Sequence, residues 1–169
     1  LAKQREMSVH EPIGGWLTDR MALAAGEPLD TGSLVQPRCE PEIAFRLERD
    51  VAGAETTAAD VMAATGSLMV AIEVLDSRYR DYQFTLADVV ADDASAARYA
   101  LGAPMDPAGV DRVGCAVRFL LDGTQVASAT GAAVMGDPAA AVAWWVRHLA
   151  GSGRGLTAGM VVLSGALTG

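Results

Sequence analysis

The stretch Cys39-Glu40-Pro41-Glu42-Ile43-Ala44-Phe45-Arg46-Leu47 decides the reading of this chain. Its side chains alternate, so residues 39–47 are expected to form a strand. Cys39, Ile43, Phe45 and Leu47 fall on one face, and Glu40, Glu42, Ala44 and Arg46 on the other. Two carboxylates therefore point the same way. Pro41 has no N–H to donate, which predicts an edge strand or a bulge with room beside the glutamates.

A third carboxylate stands further on, in Met69-Val70-Ala71-Ile72-Glu73-Val74-Leu75. Residues 68–75 are apolar on both faces except for Glu73, the pattern of a strand inside a sheet. A buried ionised carboxylate needs a partner. Two partners fit. One is a hard divalent cation such as Mg²⁺ shared by Glu40, Glu42 and Glu73, because all-oxygen ligation suits such an ion. The other is an arginine, Arg78 or Arg46. Asp76 and Arg78 are expected to form an ion pair that closes the strand.

The remaining elements alternate in type. Residues 16–17 and 21–23 read as short strands, and Gly14-Gly15 as a turn pair. Residues 57–66 read as a helix capped by Thr57. Residues 85–94 form a helical or irregular crossover. Residues 113–121 and 125–135 make a hairpin about Asp122-Gly123, which tolerate positive φ. The small residues of its second strand, Gly131 among them, would let another backbone or a ligand approach closely. Residues 138–150 are the clearest helix. Asp137 caps it, Pro138 suits its first turn, and Val142, Trp145, Val146 and Leu149 form one apolar stripe. The order predicts an α+β fold dominated by a mixed, curved sheet.

Composition sets bounds. The chain has 169 residues, of which 51% are hydrophobic and only 5% aromatic. That length suits one domain with a sizeable core. The mean hydropathy is +0.24, the net charge −8 and the isoelectric point near 4.6. No basic block is present, which argues against nucleic acid as a partner. No apolar stretch is long enough to span a bilayer, and no signal peptide opens the chain. Cys39 and Cys115 form no CxxC pair and read as free, buried thiols of a reducing compartment. Leu1 is not an initiator methionine, and Gly169 closely follows the strand-like Met160-Val161-Val162-Leu163-Ser164. The expectation is a single catalytic domain over residues 1–169, cut at both ends.

Other catalytic chemistries find little support. His10 lies in a polar loop, and His148 near a helix end, where it suits the dipole. With two histidines, a zinc site of the usual composition is disfavoured. Ser95 and Ser164 have no G-x-S-x-G setting.

The segment Gln36-Pro37-Arg38-Cys39-Glu40-Pro41-Glu42-Ile43-Ala44-Phe45 resembles the fumarylacetoacetate hydrolase superfamily, in its hydratase/decarboxylase branch. Residues 71–79 (AIEVLDSRY) resemble the strand that carries the family's third metal glutamate. Residues 89–99 (VVADDASAARY) are similar to a "VADNAS" segment, with Asp93 in place of Asn. Residues 131–144 resemble the strand-to-helix passage, and residues 162–168 the closing "TGGLT"-like strand. The resemblance spans nearly the whole chain. It implies a mixed β-roll, usually oligomeric. It also implies Mg²⁺, with Mn²⁺ as a substitute, on Glu40, Glu42 and Glu73, and a small 2-oxo acid substrate in the cytoplasm.

The family's catalytic lysine belongs to a G-x-K-x-G segment placed upstream of Leu1, which Lys3 does not match. Ile13, Ser95 and Ser164 become candidate substrate-binding residues. Ile13 stands in Glu11-Pro12-Ile13, where hydratases tend to carry an acid, and residues 76–86 resemble decarboxylases for 4-oxalocrotonate. The resemblance thus implies decarboxylation to 2-hydroxypenta-2,4-dienoate and CO2 in aromatic meta-cleavage catabolism. Hydration of 2-hydroxypenta-2,4-dienoate is the alternative. A catalytically silent binding or scaffold relative is the alternative of another class. The partners implied are a second copy of the chain, or the companion hydratase or decarboxylase.

Overall fold

The computed structural model describes residues 12–168, so Lys3, His10, Glu11 and Gly169 lie outside the described residues. Five strands form the main sheet: β1 (Ala22–Leu23), β2 (Arg38–Leu47), β3 (Thr65–Leu75), β4 (Ala96–Leu101) and β7 (Val161–Leu163). Their order is β1-β4-β3-β2-β7. β1 runs parallel to β4, and the other pairings are antiparallel. The sheet is mixed, as the sequence predicts. β5 (Ala116–Leu121) and β6 (Thr124–Thr130) form a separate hairpin about Asp122-Gly123, whose φ angles are +48° and +77°.

β2 is an interior strand rather than an edge. The carbonyl of Pro41 accepts the N–H of Leu167, so its nitrogen faces the same flank, away from β3. β7 pairs only with residues 44–46 there, so the missing proline donor interrupts no ladder. The irregularity in β2 falls between Arg46 and Leu47 instead.

Among the described residues three α-helices complete the fold: α1 (Ala58–Ala64), α2 (Leu86–Ala91) and α3 (Pro138–Ala150). α1 and α2 each begin in a reciprocal capping box, Thr57 with Asp60 and Thr85 with Asp88. α1 stops at Ala64 because Thr65 turns extended and opens β3, three residues before the expected start. Asp137 caps α3 through the N–H of Ala139. It also takes two donor groups from Arg112, a bidentate pair that ties the hairpin's approach to the helix.

The main core lies on one face of the sheet. Ile43, Phe45, Leu47 and Leu68 pack there with Val61 of α1 and with Val142, Val146 and Leu149 of α3. Each such side chain removed from water contributes roughly 1.5–3 kcal/mol. On the opposite face Ala44, Met69 and Ala71 form a smaller buried cluster with Leu101, Val161 and Leu163 packed against it. Glu40, Glu42 and Glu73 share this second face by strand alternation.

Several expectations need correction. Trp16-Leu17 is not a strand, and Asp19–Met21 is a 3-10 turn leading into β1. Gly14 and Gly15 do not take positive φ; they are small because other groups lie against them. Neither thiol is fully buried: Cys39 is exposed and Cys115 half-buried, both unbridged. No helix of the described residues is long and apolar enough to cross a membrane.

Candidate functional site

Antiparallel pairing of β2 with β3 sets Glu40 directly opposite Glu73 and Glu42 opposite Ala71. Like charges so placed repel. One carboxylate oxygen from each of Glu40, Glu42 and Glu73 lies within 4.8 Å of the other two. Glu42 is buried, with only 2% of its surface exposed, while Glu40 and Glu73 are half-buried. The N–H of Gly165 donates to Oε2 of Glu42 at 2.6 Å.

Burial pushes the Glu42 carboxyl well above its ordinary range. The charge of Glu73 and a hydrogen bond with that side chain add to the rise, the Gly165 N–H opposes it, and Glu40 adds a smaller push. Glu42 therefore holds its proton to higher pH than a lone carboxyl would. A divalent ion held by the three oxygens would supply compensating charge in place of that proton.

The arginine alternatives are engaged elsewhere or remote. Arg78 forms its ion pair with Asp92 and reaches Asp76 through that residue's backbone carbonyl, not its carboxylate. Asp76 instead receives the N–H groups of Val35 and Gln36, tying the incoming loop to the end of β3. Arg46 is an exposed residue near the far end of β2.

The cluster opens into a cavity of about 560 Å³. Ile13, Tyr99 and Ser164 are among its lining residues. Tyr99 stands directly across from Glu73 on β4. Ser164 is 7% exposed, and its hydroxyl has no hydrogen-bond partner among the described residues. A buried, unsatisfied hydroxyl beside a cavity is what a polar ligand atom would complete. An ion and an oxygen-rich ligand therefore fit the groups present.

Ser95 does not line the cavity. It is fully buried, and its hydroxyl donates to Asp92 Oδ2 at 3.0 Å. It supports the turn behind the wall. His148 lies in the last turn of α3, as expected, but its ring stacks on Trp144 and Trp145 at 5.3 and 5.2 Å.

One contact in the cavity lining has no counterpart in the sequence pattern. Asp93 Oδ1 accepts the backbone N–H of Trp16 at 2.7 Å. The sole hint in the sequence is the acid itself in Ala91-Asp92-Asp93-Ala94-Ser95.

Residues 2–169 match the fumarylacetoacetate (FAA) hydrolase C-terminal family, and the chain belongs to it. The 2-keto-4-pentenoate hydratase of Burkholderia vietnamiensis (strain G4 / LMG 22486) is 42% identical over 167 residues, covering 98% of this chain and 64% of that protein. A 4-oxalocrotonate decarboxylase of a Pseudomonas species is 38% identical over 168 residues, covering 99% of this chain and 64% of that protein. Among solved structures, 4-oxalocrotonate decarboxylase from Pseudomonas putida G7, complexed with magnesium and adipate, superposes with a TM-score of 0.95 at 33% identity. That match covers 99% of this chain and 64% of the other. The chain thus spans 64% of the length of these relatives. The α+β class and the mixed, curved sheet are those of the family's C-terminal domain.

Proposed function

We propose that this chain is the metal-binding catalytic domain of a cytoplasmic 2-oxo acid lyase that decarboxylates 4-oxalocrotonate (2-oxohex-3-enedioate) in aromatic meta-cleavage catabolism. The convergence of Glu40, Glu42 and Glu73 carries the metal-dependent part of this reading. Relatives named 4-oxalocrotonate decarboxylase and 2-keto-4-pentenoate hydratase support the reaction class.

Glu40, Glu42 and Glu73 would hold Mg²⁺, or Mn²⁺ in its place. When bound, the ion supplies Lewis-acid stabilisation of negative charge that grows on the substrate during reaction. The Gly165 N–H keeps Glu42 turned toward its two partners. The Ser164 hydroxyl donates to a substrate carboxylate. Ile13 supplies an apolar wall for the departing carboxylate.

In the reaction the bond to the distal carboxylate breaks and CO2 leaves. The electron pair delocalises through the adjacent carbon–carbon double bond to the keto oxygen. That oxygen gains a proton, giving 2-hydroxypenta-2,4-dienoate. Loss of a charged carboxylate as neutral CO2 is favoured where water is kept away.

A second reading is hydration of 2-hydroxypenta-2,4-dienoate, favoured by the 42% identity to a hydratase. Hydration needs a group that positions water, and the side chain of Ile13 cannot do so. The full-length protein with Mg²⁺ should release CO2 from 2-oxohex-3-enedioate. Water addition to 2-hydroxypenta-2,4-dienoate without CO2 release would establish the hydratase. Tight binding of a 2-oxo acid analogue with no turnover of either compound would mark a silent relative.

We also infer assembly, with a second copy or with the companion lyase. Leu120, Leu121 and Val126 leave large apolar side chains exposed on the β5–β6 hairpin. A monomeric mass by light scattering, both alone and with the companion lyase, would remove this part of the reading.

A further inference from the structure

We propose that Asp93 is a positioning residue, which fixes residues 12–18 as a strap across the cavity and so sets where Ile13 stands. For its catalytic consequence this rests on the reading of the cavity as the substrate site.

The strap lines the same cavity as the three glutamates yet forms no backbone ladder with the sheet among the described residues. Its hold on the wall comes from a few side-chain contacts. The charged acceptor of Asp93 takes the Trp16 N–H at 2.7 Å, a link across 77 positions of sequence. Gly15 lies so close that a Cβ there would stand 2.8 Å from the Asp93 carbonyl oxygen. Gly14 lies on the Trp145 ring, where a Cβ would come within 2.5 Å. The Trp16 and Trp145 rings meet edge to face at 5.9 Å, and the Arg154 guanidinium stands 5.6 Å from the Trp16 ring centre.

The turn that presents Asp93 is itself unusual. Asp93, Ala94 and Ser95 take φ angles of +52°, +55° and +63°, three consecutive non-glycine residues in the left-handed region. Such backbone persists where its surroundings over-determine it, and it clusters at functional sites. Here the buried carboxylate of Asp92 does the fixing. It receives the hydroxyls of Ser77 and Ser95 and the side chain of Arg78. One acid, Asp92, thus holds the turn, and the next, Asp93, reaches outward to hold the strap. Ile13 lies three residues before Trp16 on that strap and has no tie of its own to the sheet backbone among the described residues. Its position follows from the anchor.

The test compares Asp93→Ala with Asp93→Asn in the full-length protein. Asparagine keeps a carbonyl oxygen that can accept the Trp16 N–H, and alanine does not. The expected result is at least about tenfold faster hydrogen exchange at the Trp16 amide in Asp93→Ala, the scale of one charge-assisted hydrogen bond. KM for the 2-oxo acid should rise by a similar factor while kcat changes less, and Asp93→Asn should restore both toward the parent. Unchanged Trp16 exchange in a folded Asp93→Ala protein overturns the assignment. So does faster exchange with KM and product unaltered. Should Asp93→Ala not fold, Gly15→Ala serves instead: its methyl group collides with the Asp93 carbonyl, and unchanged Trp16 exchange there overturns the proposal as well. Faster exchange in a protein that turns over neither substrate leaves the anchor standing and removes the lyase reading alone.

Discussion

The N–H of Gly165 reaches Oε2 of Glu42 across 123 positions of sequence, at 2.6 Å. It brings the chain beyond β7 back onto the most deeply buried member of the carboxylate cluster. The bond favours ionised Glu42, whereas burial, Glu73 and Glu40 favour its protonated form. Substituting Glu42→Gln should therefore separate metal binding from folding. The amide keeps the shape and loses the charge. Mg²⁺ affinity should fall by more than the roughly 10–100-fold that loss of a ligand's supporting partner costs. Without metal, the variant should melt at or above the temperature of the parent, because the amide sits uncharged beside Glu73 without having to take up a proton. Titration calorimetry and thermal unfolding in chelator read the two effects. Unchanged Mg²⁺ affinity would remove Glu42 from the ligand set.

The same balance gives a pH dependence with a definite sign. Folding raises the Glu42 carboxyl well above its ordinary value of 4.5. Between those two values the native chain keeps a proton that the unfolded chain has lost. The metal-free protein should therefore lose stability as pH rises through that window, by up to about 1.4 kcal/mol per pH unit for one group. Below 4.5 the group contributes no slope, since both states are protonated. Saturating Mg²⁺ should reverse the trend, because binding requires the ionised cluster and strengthens as protons leave. Chemical denaturation in chelator and in Mg²⁺, from about pH 5 to about pH 8, checks both signs. A rising stability in chelator would contradict the buried, proton-retaining site.

Gly131 tests the packing that carries the hairpin into α3. A Cβ at this buried position would lie 1.7 Å from the carbonyl oxygen of Arg112, a backbone atom that cannot swing aside. The same arginine is paired through its side chain with Asp137, the cap of α3. Gly131→Ala should therefore destabilise by at least the roughly 1–3 kcal/mol typical of overpacking. By contrast Gly123→Ala, at a turn with open space around it, should cost only the strain of its +77° φ angle. Denaturant midpoints of the two variants rank the effects. Equal losses would mean that the segment at Arg112 can give way.

Legibility in the sequence followed the range of the interaction. The alternation of residues 39–47 and the apolar run around Glu73 are local, so β2, β3 and the shared glutamate face could be read directly. The caps at Thr57 and Asp137 are local too. The opposition of Glu40 and Glu73 is a register, set by pairing across the sheet, and no period in the sequence encodes it. Pro41 predicts an edge because local sequence does not encode which flank its nitrogen faces. Ser95 is a candidate ligand contact through the resemblance alone, and its bond to Asp92 depends on a left-handed turn that no local pattern encodes. The strap is illegible in the sequence for a related reason. Its anchor joins a carboxylate to a backbone N–H from a left-handed turn built without glycine, where local propensity gives no warning.

On the proposed reading Ile13 carries the choice between the two lyase reactions, and one substitution addresses it. The residue lines the same cavity as the three glutamates. An apolar side chain there neither positions water nor exchanges a proton, and it favours departure of an uncharged product. Ile13→Asp introduces a carboxylate able to do both, on a strap whose backbone anchor at Trp16 is untouched. With 2-oxohex-3-enedioate the variant should release CO2 more slowly, because a charged side chain keeps water beside the departing carboxylate. With 2-hydroxypenta-2,4-dienoate it should gain water addition. Mg²⁺ affinity should stay close to that of the parent, which distinguishes loss of the apolar wall from damage to the metal cluster. Product analysis of the two substrates, beside Mg²⁺ titration, reads all three. If CO2 release persists unchanged in the variant, the apolar character of this position does not direct the reaction, and the preference for decarboxylation loses its structural basis.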